Sequence, residues 1–224
     1  LNFKSIKRVL IVSAILVLPC LFYLALMKGK NDYSRLEIFG PKEPASNAGV
    51  GTPDTIYHTI SGFSFTDQEG RTVTNETFKD KIYVADFFFA TCQTICPKMT
   101  QQMARVVHKF RNDSGIYFLS HTVNPDHDSV SVLKKYSEKY NVTSDRWRFV
   151  TGNKKEIYDL ARHSYFITAM EGNGGPDDFI HSEQFALVDR QGRIRGYYDG
   201  TDPNDVDTLM DEIKVLKKEY EQLK

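Results

Sequence analysis

The chain has 224 residues, 41% of them hydrophobic and 26% charged, the composition of a globular protein with room for one ordinary domain and an appendage. Lys plus Arg and Asp plus Glu balance at 29 each, so no global charge points to nucleic acid or to a polybasic attachment to lipid. Three cysteines exclude a structural disulfide framework.

Residues 9–27 carry no charged side chain, and as a helix they would span roughly 28 Å, close to the hydrocarbon thickness of a bilayer. Lys4, Lys7 and Arg8 precede this run and Lys28 and Lys30 follow it, a slight bias toward a cytoplasmic N-terminus with the rest of the chain outside. A cleavable signal peptide is the alternative, disfavoured because no small-x-small cleavage site follows the run. Residues 1–28 are therefore expected to form a single-pass anchor in the inner (cytoplasmic) membrane, with the domain on the periplasmic or outer side. Cys20 lies inside the apolar run and reads as a membrane-buried thiol, since Pro19 stands where a lipidation signal wants a small residue.

Residues 29–55 contain Gly29, Gly40, Gly49 and Gly51 with Pro41, Pro44 and Pro53 and show no sustained apolar periodicity, so they read as a linker. From Ile56 to the C-terminus no second linker and no internal repeat is visible, which makes residues 56–224 one domain.

Within it, 63–65 and 71–74 flank Asp67-Gln-Glu-Gly70 as a hairpin, and 81–89 is a β-branched and aromatic run suited to a buried central strand. Met99, Met103, Val106, Val107 and Phe110 recur at helical spacing, with Pro97 in the first turn and Gly115 past the end; the methionines extend the apolar stripe and read as core. A strand over 116–120 and a helix over 129–140 follow, then a short strand at 148–150 and a helix over 154–162. Beyond a Gly-rich loop, 183–189 and 193–198 flank Arg190-Gln-Gly192 as a second hairpin, and Asp202-Pro203 opens a charged helix to about 223. Strands alternating with helices, then a hairpin and a last helix, predict an α/β fold: a central sheet with helices on both faces, compatible with a thioredoxin-like arrangement.

Cys92 and Cys96 stand four residues apart where the apolar strand gives way to a helix. Residues i and i+4 share a helical face, so both sulfurs can reach one soft metal ion or close one disulfide. A Cys-x-x-x-Cys pair alone is weak, because free cysteine is often a core residue. Its position at a helix N-terminus favours thiolate, and with it nucleophilic or metal-binding sulfur.

Three segments carry a resemblance: Asp86-Phe-Phe-Phe-Ala-Thr-Cys92-Gln-Thr-Ile-Cys96-Pro97, Val123-Asn-Pro-Asp-His-Asp128, and Phe179-Ile-His181-Ser-Glu-Gln-Phe-Ala-Leu-Val-Asp-Arg-Gln-Gly192. In this order they are similar to landmarks of the Sco (SenC) family, over about residues 56–222, and the anchor and linker fit too. The resemblance implies a membrane-tethered thioredoxin-like domain that binds copper, Cu(I) or Cu(II), through Cys92, Cys96 and His181 and assists assembly of the CuA centre of cytochrome c oxidase. Thr91 replaces a histidine that many members carry there, at a position that is not a ligand. Two thiolates and an imidazole suit Cu(I), and an added oxygen would complete a Cu(II) site; structural zinc would want a fourth protein ligand.

The Gly-rich stretch 171–178 is expected to let the loop bearing His181 swing over the cysteines. His121 and His127 read as structural residues. Asp86, a carboxylate inside an apolar strand, requires a hydrogen-bonding partner or a raised pKa, and is a candidate neighbour of the sulfurs. The Asn-x-Ser/Thr matches at Asn75, Asn112 and Asn141 are read as chance.

Two functions follow. One is a metallochaperone, requiring Cys92, Cys96 and His181, with partners in the copper-bearing oxidase subunit and a copper donor protein. The other is a thiol-disulfide oxidoreductase that keeps the oxidase's copper-site cysteines reduced, with Cys92 as nucleophile and Cys96 resolving. A peroxidase is disfavoured. An oxidising compartment makes a thiol reductase an expected partner of either.

Overall fold

The computed structural model describes residues 35–44, 55–142, 145–167 and 182–222, with isolated positions between 7 and 21. Two units separate, residues 1–34 and 35–224. In the first, the described positions 13, 15–19 and 21 are helical, and Ile15, Leu16, Val17, Leu18 and Leu21 are exposed. Most of the span expected to cross a membrane, Cys20 included, lies outside the described residues; among those described, no helix is long and apolar enough to cross one.

The second unit is organised by β5 (Ile82–Phe88), whose run of bulky residues is buried at every position. Burial on both faces explains why the run does not alternate. The strands preceding it are β1 (Lys42–Pro44), β2 (Thr55–Tyr57), β3 (Ser64–Asp67) and β4 (Thr72–Thr74); those following are β6 (Ile116–Thr122), β7 (Trp147–Thr151), β8 (Gln184–Val188) and β9 (Ile194–Asp199). Seven of them form one sheet in the order β4-β3-β7-β6-β5-β8-β9, parallel through β7, β6 and β5 and antiparallel at both flanks.

Four helices cover the sheet: α1 (Ile95–Lys109), α2 (Val130–Lys139), α3 (Lys154–Asp159) and α4 (Pro203–Gln222). On one face, Met99, Met103 and Val106 of α1, Leu133 and Tyr136 of α2 and Leu209, Ile213 and Leu216 of α4 pack on Val84, Phe88, Phe118 and Phe149. On the other, Ile157 and Tyr158 of α3 join Phe65, Tyr83, Phe87 and Leu119. The predicted two-faced α/β sheet and the core placement of both methionines hold. The helix expected over 154–162 stops being α-helical at Asp159 and continues as a π-helical turn, Leu160–Ser164.

One expectation is corrected. Within the segment read as a linker, residues 35–44 are built into the folded unit. β1 pairs with β2, the Phe39 amide donates to the Ile194 carbonyl (2.9 Å), and the buried Arg195 guanidinium donates to the carbonyls of Leu36 (2.7 Å) and Glu37 (3.1 Å). Glycines and prolines concealed this strap because its hold comes from backbone groups, which carry no periodicity.

The two hairpins share one turn. In each, an aspartate Oδ1 accepts the amides two and four residues on (Asp67 from Glu69 and Arg71, Asp189 from Gln191 and Arg193, all 2.9 Å). Its Oδ2 accepts from the arginine at i+4 and from an arginine elsewhere, Arg148 for Asp67 and Arg195 for Asp189, each at 3.0 Å. Gly70 and Gly192 take φ of 75° and 76°, a left-handed conformation open to glycine without steric cost.

Candidate metal centre

Strand β5 ends at Phe88, and the next four residues carry the chain to Cys92 before α1 begins at Ile95. Thr94 occupies the N-cap of α1 but makes no side-chain cap bond, and Pro97 brings no amide to the first turn. The Cys92 sulfur takes the vacant role, accepting the Cys96 amide at 3.4 Å. The Thr94 hydroxyl lies 3.8 Å from the same sulfur.

The two free thiols stand in different surroundings: Cys92 is half-buried and Cys96 is buried. Partial burial alone would raise the Cys92 thiol, but the amides of Cys96 and Thr94 and the Thr94 hydroxyl outweigh it and hold Cys92 below the usual thiol range. Burial pushes the Cys96 thiol well up, against a hydrogen bond from the Phe89 backbone, and the charges of Cys92 and Asp86 push the same way. One sulfur is thus accessible and the easier to ionise; the other is buried and the harder to ionise.

Asp86 lies on the sheet face beneath α1, buried, and accepts a 2.5 Å hydrogen bond from the Ser120 hydroxyl, which in turn accepts from the Trp147 indole (2.9 Å). Burial pushes the Asp86 carboxyl up to about 7, with the Ser120 bond pulling the other way. Both conditions set for it from sequence, a partner and a raised pKa, are met, and its charge reaches Cys96.

His121 is fully buried among Phe63, Phe65, Phe87 and Tyr165, and burial pushes its imidazole down to about 3. It is a core residue. His127 is exposed in the turn before α2. The Asn75 side chain accepts the Phe63 amide and donates to the carbonyls of Ile60 and Ser61, a structural use.

His181 and the Gly-rich stretch before it lie outside the described residues. Among those described, no group of three or more His, Cys, Asp or Glu could hold a metal ion, so two members of the expected ligand set are brought together and the third is not in view. Sequence reading overlooked Asp128, which accepts hydrogen bonds from the Ala90 amide (3.0 Å) and the Thr122 hydroxyl (2.5 Å). Its one sequence signal is its place at the end of the Val123–Asp128 motif, on a turn that must meet the thiol loop.

A model of the SCO1/SenC family matches residues 52–218. A SCO1 protein homolog of Bacillus subtilis is 31% identical over 168 residues, 74% of this chain and 86% of the relative. Among solved structures, BsSco, described as a member of the Sco family of cytochrome c oxidase assembly proteins with a disulfide switch, is 30% identical with a TM-score of 0.61, covering 71% of this chain and 93% of that one. ScoI of Arabidopsis thaliana, solved with copper bound, is 26% identical with a TM-score of 0.57, covering 73% and 99%.

Proposed function

The chain belongs to the SCO1/SenC family, and on that premise we propose that it is a copper metallochaperone assisting assembly of the CuA centre of cytochrome c oxidase, with Cys92, Cys96 and His181 holding the cargo. The observation that carries this reading is the pairing of Cys92, in the loop before α1, with Cys96 in its first turn, the Cys92 sulfur already at the Cys96 amide. A relative of the same fold with copper bound supports the cargo, and BsSco's class supports the destination.

The donor set fits a soft ion. Two sulfurs and an imidazole satisfy Cu(I), and one added oxygen would serve Cu(II). Cys92, the accessible and more readily ionised sulfur, makes first contact, and Cys96 gives up its proton as the second sulfur engages. Loading is therefore linked to proton release and weakens in acid. His181, which follows the Gly-rich stretch 171–178 in the sequence, is the ligand that leaves first on handover to the copper-bearing oxidase subunit. A copper donor protein and a thiol reductase are the further partners. Residues 1–28 anchor the chain in the inner membrane with the folded unit outside; the uncharged run of 9–27 and its exposed leucines and isoleucine support this placement.

The unequal thiols also favour a second role. As an oxidoreductase, the Cys92 thiolate attacks a disulfide sulfur of the oxidase subunit and releases one thiolate. Cys96, losing its proton, then displaces the mixed disulfide, leaving a Cys92–Cys96 disulfide and two reduced partner thiols.

An anaerobic titration of the fully reduced chain in detergent with Cu(II), followed by thiolate-to-copper absorption beside a His181→Ala variant, tests the first reading. Saturation at one equivalent, lost or weakened in the variant, is expected. Simple oxidation to the Cys92–Cys96 disulfide in both proteins would replace the metallochaperone with the oxidoreductase.

A further inference from the structure

Between the end of β5 and the start of α1, the chain must place two sulfurs, and β-ladder hydrogen bonds stop at its entrance. The last such contact is the Val123 amide donating to the Phe88 carbonyl at 2.8 Å. Beyond it, Ala90 presents an amide that no strand can take. Asp128, fully buried and 38 residues on, takes it with Oδ2 at 3.0 Å.

Asp128 is itself fixed from two sides. The Thr122 hydroxyl donates to the same Oδ2 while accepting the Asn124 amide at 3.0 Å, and the Asp128 amide donates to the Asn124 carbonyl at 2.9 Å. Its second oxygen, Oδ1, is buried with no hydrogen-bond partner among the described residues. A carboxylate left half-satisfied in the interior is costly, so its retention calls for a return. The loop it grips touches both thiols. Phe89, one residue before the gripped amide, contributes the backbone hydrogen bond to Cys96; Cys92, two residues after it, is closed onto the Phe89 carbonyl by its own amide at 3.2 Å.

We propose that Asp128 is the positioning residue of the dithiol: its carboxylate clamps Ala90 to the Thr122–Asn124 turn and thereby sets the Cys92 sulfur against the first-turn amides of α1. The proposal rests on Cys92 and Cys96 being the functional pair, but not on what they carry. It assigns a task to the Val123–Asp128 motif that no ligand role covers. Asparagine can perform the same clamp, since its amide oxygen accepts from Ala90 and from the Thr122 hydroxyl, whereas alanine cannot.

The test is iodoacetamide alkylation of Cys92 at pH 7 in the reduced, copper-free full chain in detergent, with adducts located by mass spectrometry. Asp128→Ala should slow alkylation several-fold, because a loosened loop lets the sulfur drift from the amides that favour thiolate. Asp128→Asn should restore the rate to within about twofold, as expected of a clamp that works through acceptor geometry. An unchanged rate in Asp128→Ala, or an Asp128→Asn as slow as the alanine variant, overturns the proposal. Should the alanine variant fail to fold, amide exchange in the unaltered chain decides: the Ala90 amide should exchange at least about tenfold more slowly than that of exposed Gln93, and equal rates overturn the clamp. A failure to bind copper would leave both readouts unmoved.

Discussion

At the two edges of the sheet, Asp67 and Asp189 each receive two guanidinium groups, whereas at the thiol end Asp86 and Asp128 meet hydroxyls and an amide and, among the described residues, no cation. All four carboxylates are buried. The edge acids shape a turn and are neutralised where they stand, so they belong to the architecture. The thiol-end acids carry the desolvation of a carboxyl without a counter-ion, which shows in Asp86 being pushed up to about 7. That cost is tolerated beside the cysteines, where it bears on sulfur chemistry.

The edges also differ from each other, and the largest expected effect separates them. Asp189 faces Arg195, whose side chain is 1% exposed and also bonds Glu219 and the 35–44 strap. Asp189→Ala should cost about 3–5 kcal/mol in urea denaturation, because it leaves a buried guanidinium short of a partner. The strap strands should become accessible to protease in the same variant.

A second effect would sharpen the contrast at the thiol end. The Asp86 carboxyl titrates near 7 when folded and near 3.8 when free, so folding favours its protonated form. Its contribution is complete below about pH 3.8 and is withdrawn as pH rises through about 7. Asp86→Asn does not titrate and keeps an acceptor for Ser120. It should be close to the unaltered chain at pH 4 and more stable by about 2–4 kcal/mol at pH 8. Denaturation curves on reduced, metal-free protein at both pH values check this, and an advantage independent of pH would put Asp86 with the edge acids.

The smallest effect falls on the open edge. Arg71 is 44% exposed and Arg148 has Asp145 as a further partner, so Asp67→Ala removes mainly the turn bonds and should cost about 1–2 kcal/mol. Equal losses at Asp67 and Asp189 would erase the distinction between the edges.

Much of this was legible in the residues. Both turns read as glycine-bearing gaps between strand runs, β5 announced itself by continuous bulky residues, and the Cys spacing located the site. Asp86 was an anomaly in its own strand and so could be questioned. What stayed hidden is held by pairs distant in sequence. Asp128 reaches Ala90 across 38 residues and Arg195 reaches Leu36 across 159, and neither contact leaves a pattern along the chain. The resemblance supplied His181, which periodicity could not have singled out.

The bridge from Phe39 to Ile194 has a geographical consequence. Ile194 pairs with Val188, and Val188 with Tyr83, so the bridge is level with the beginning of β5, with β8 and β9 between them. Cys92 lies past the other end of that strand, whose seven residues span roughly 20 Å at the usual strand rise. Within the folded unit the 35–44 strap and the thiols are thus at opposite poles, so a change at either one has the length of the central strand to cross before it is felt at the other.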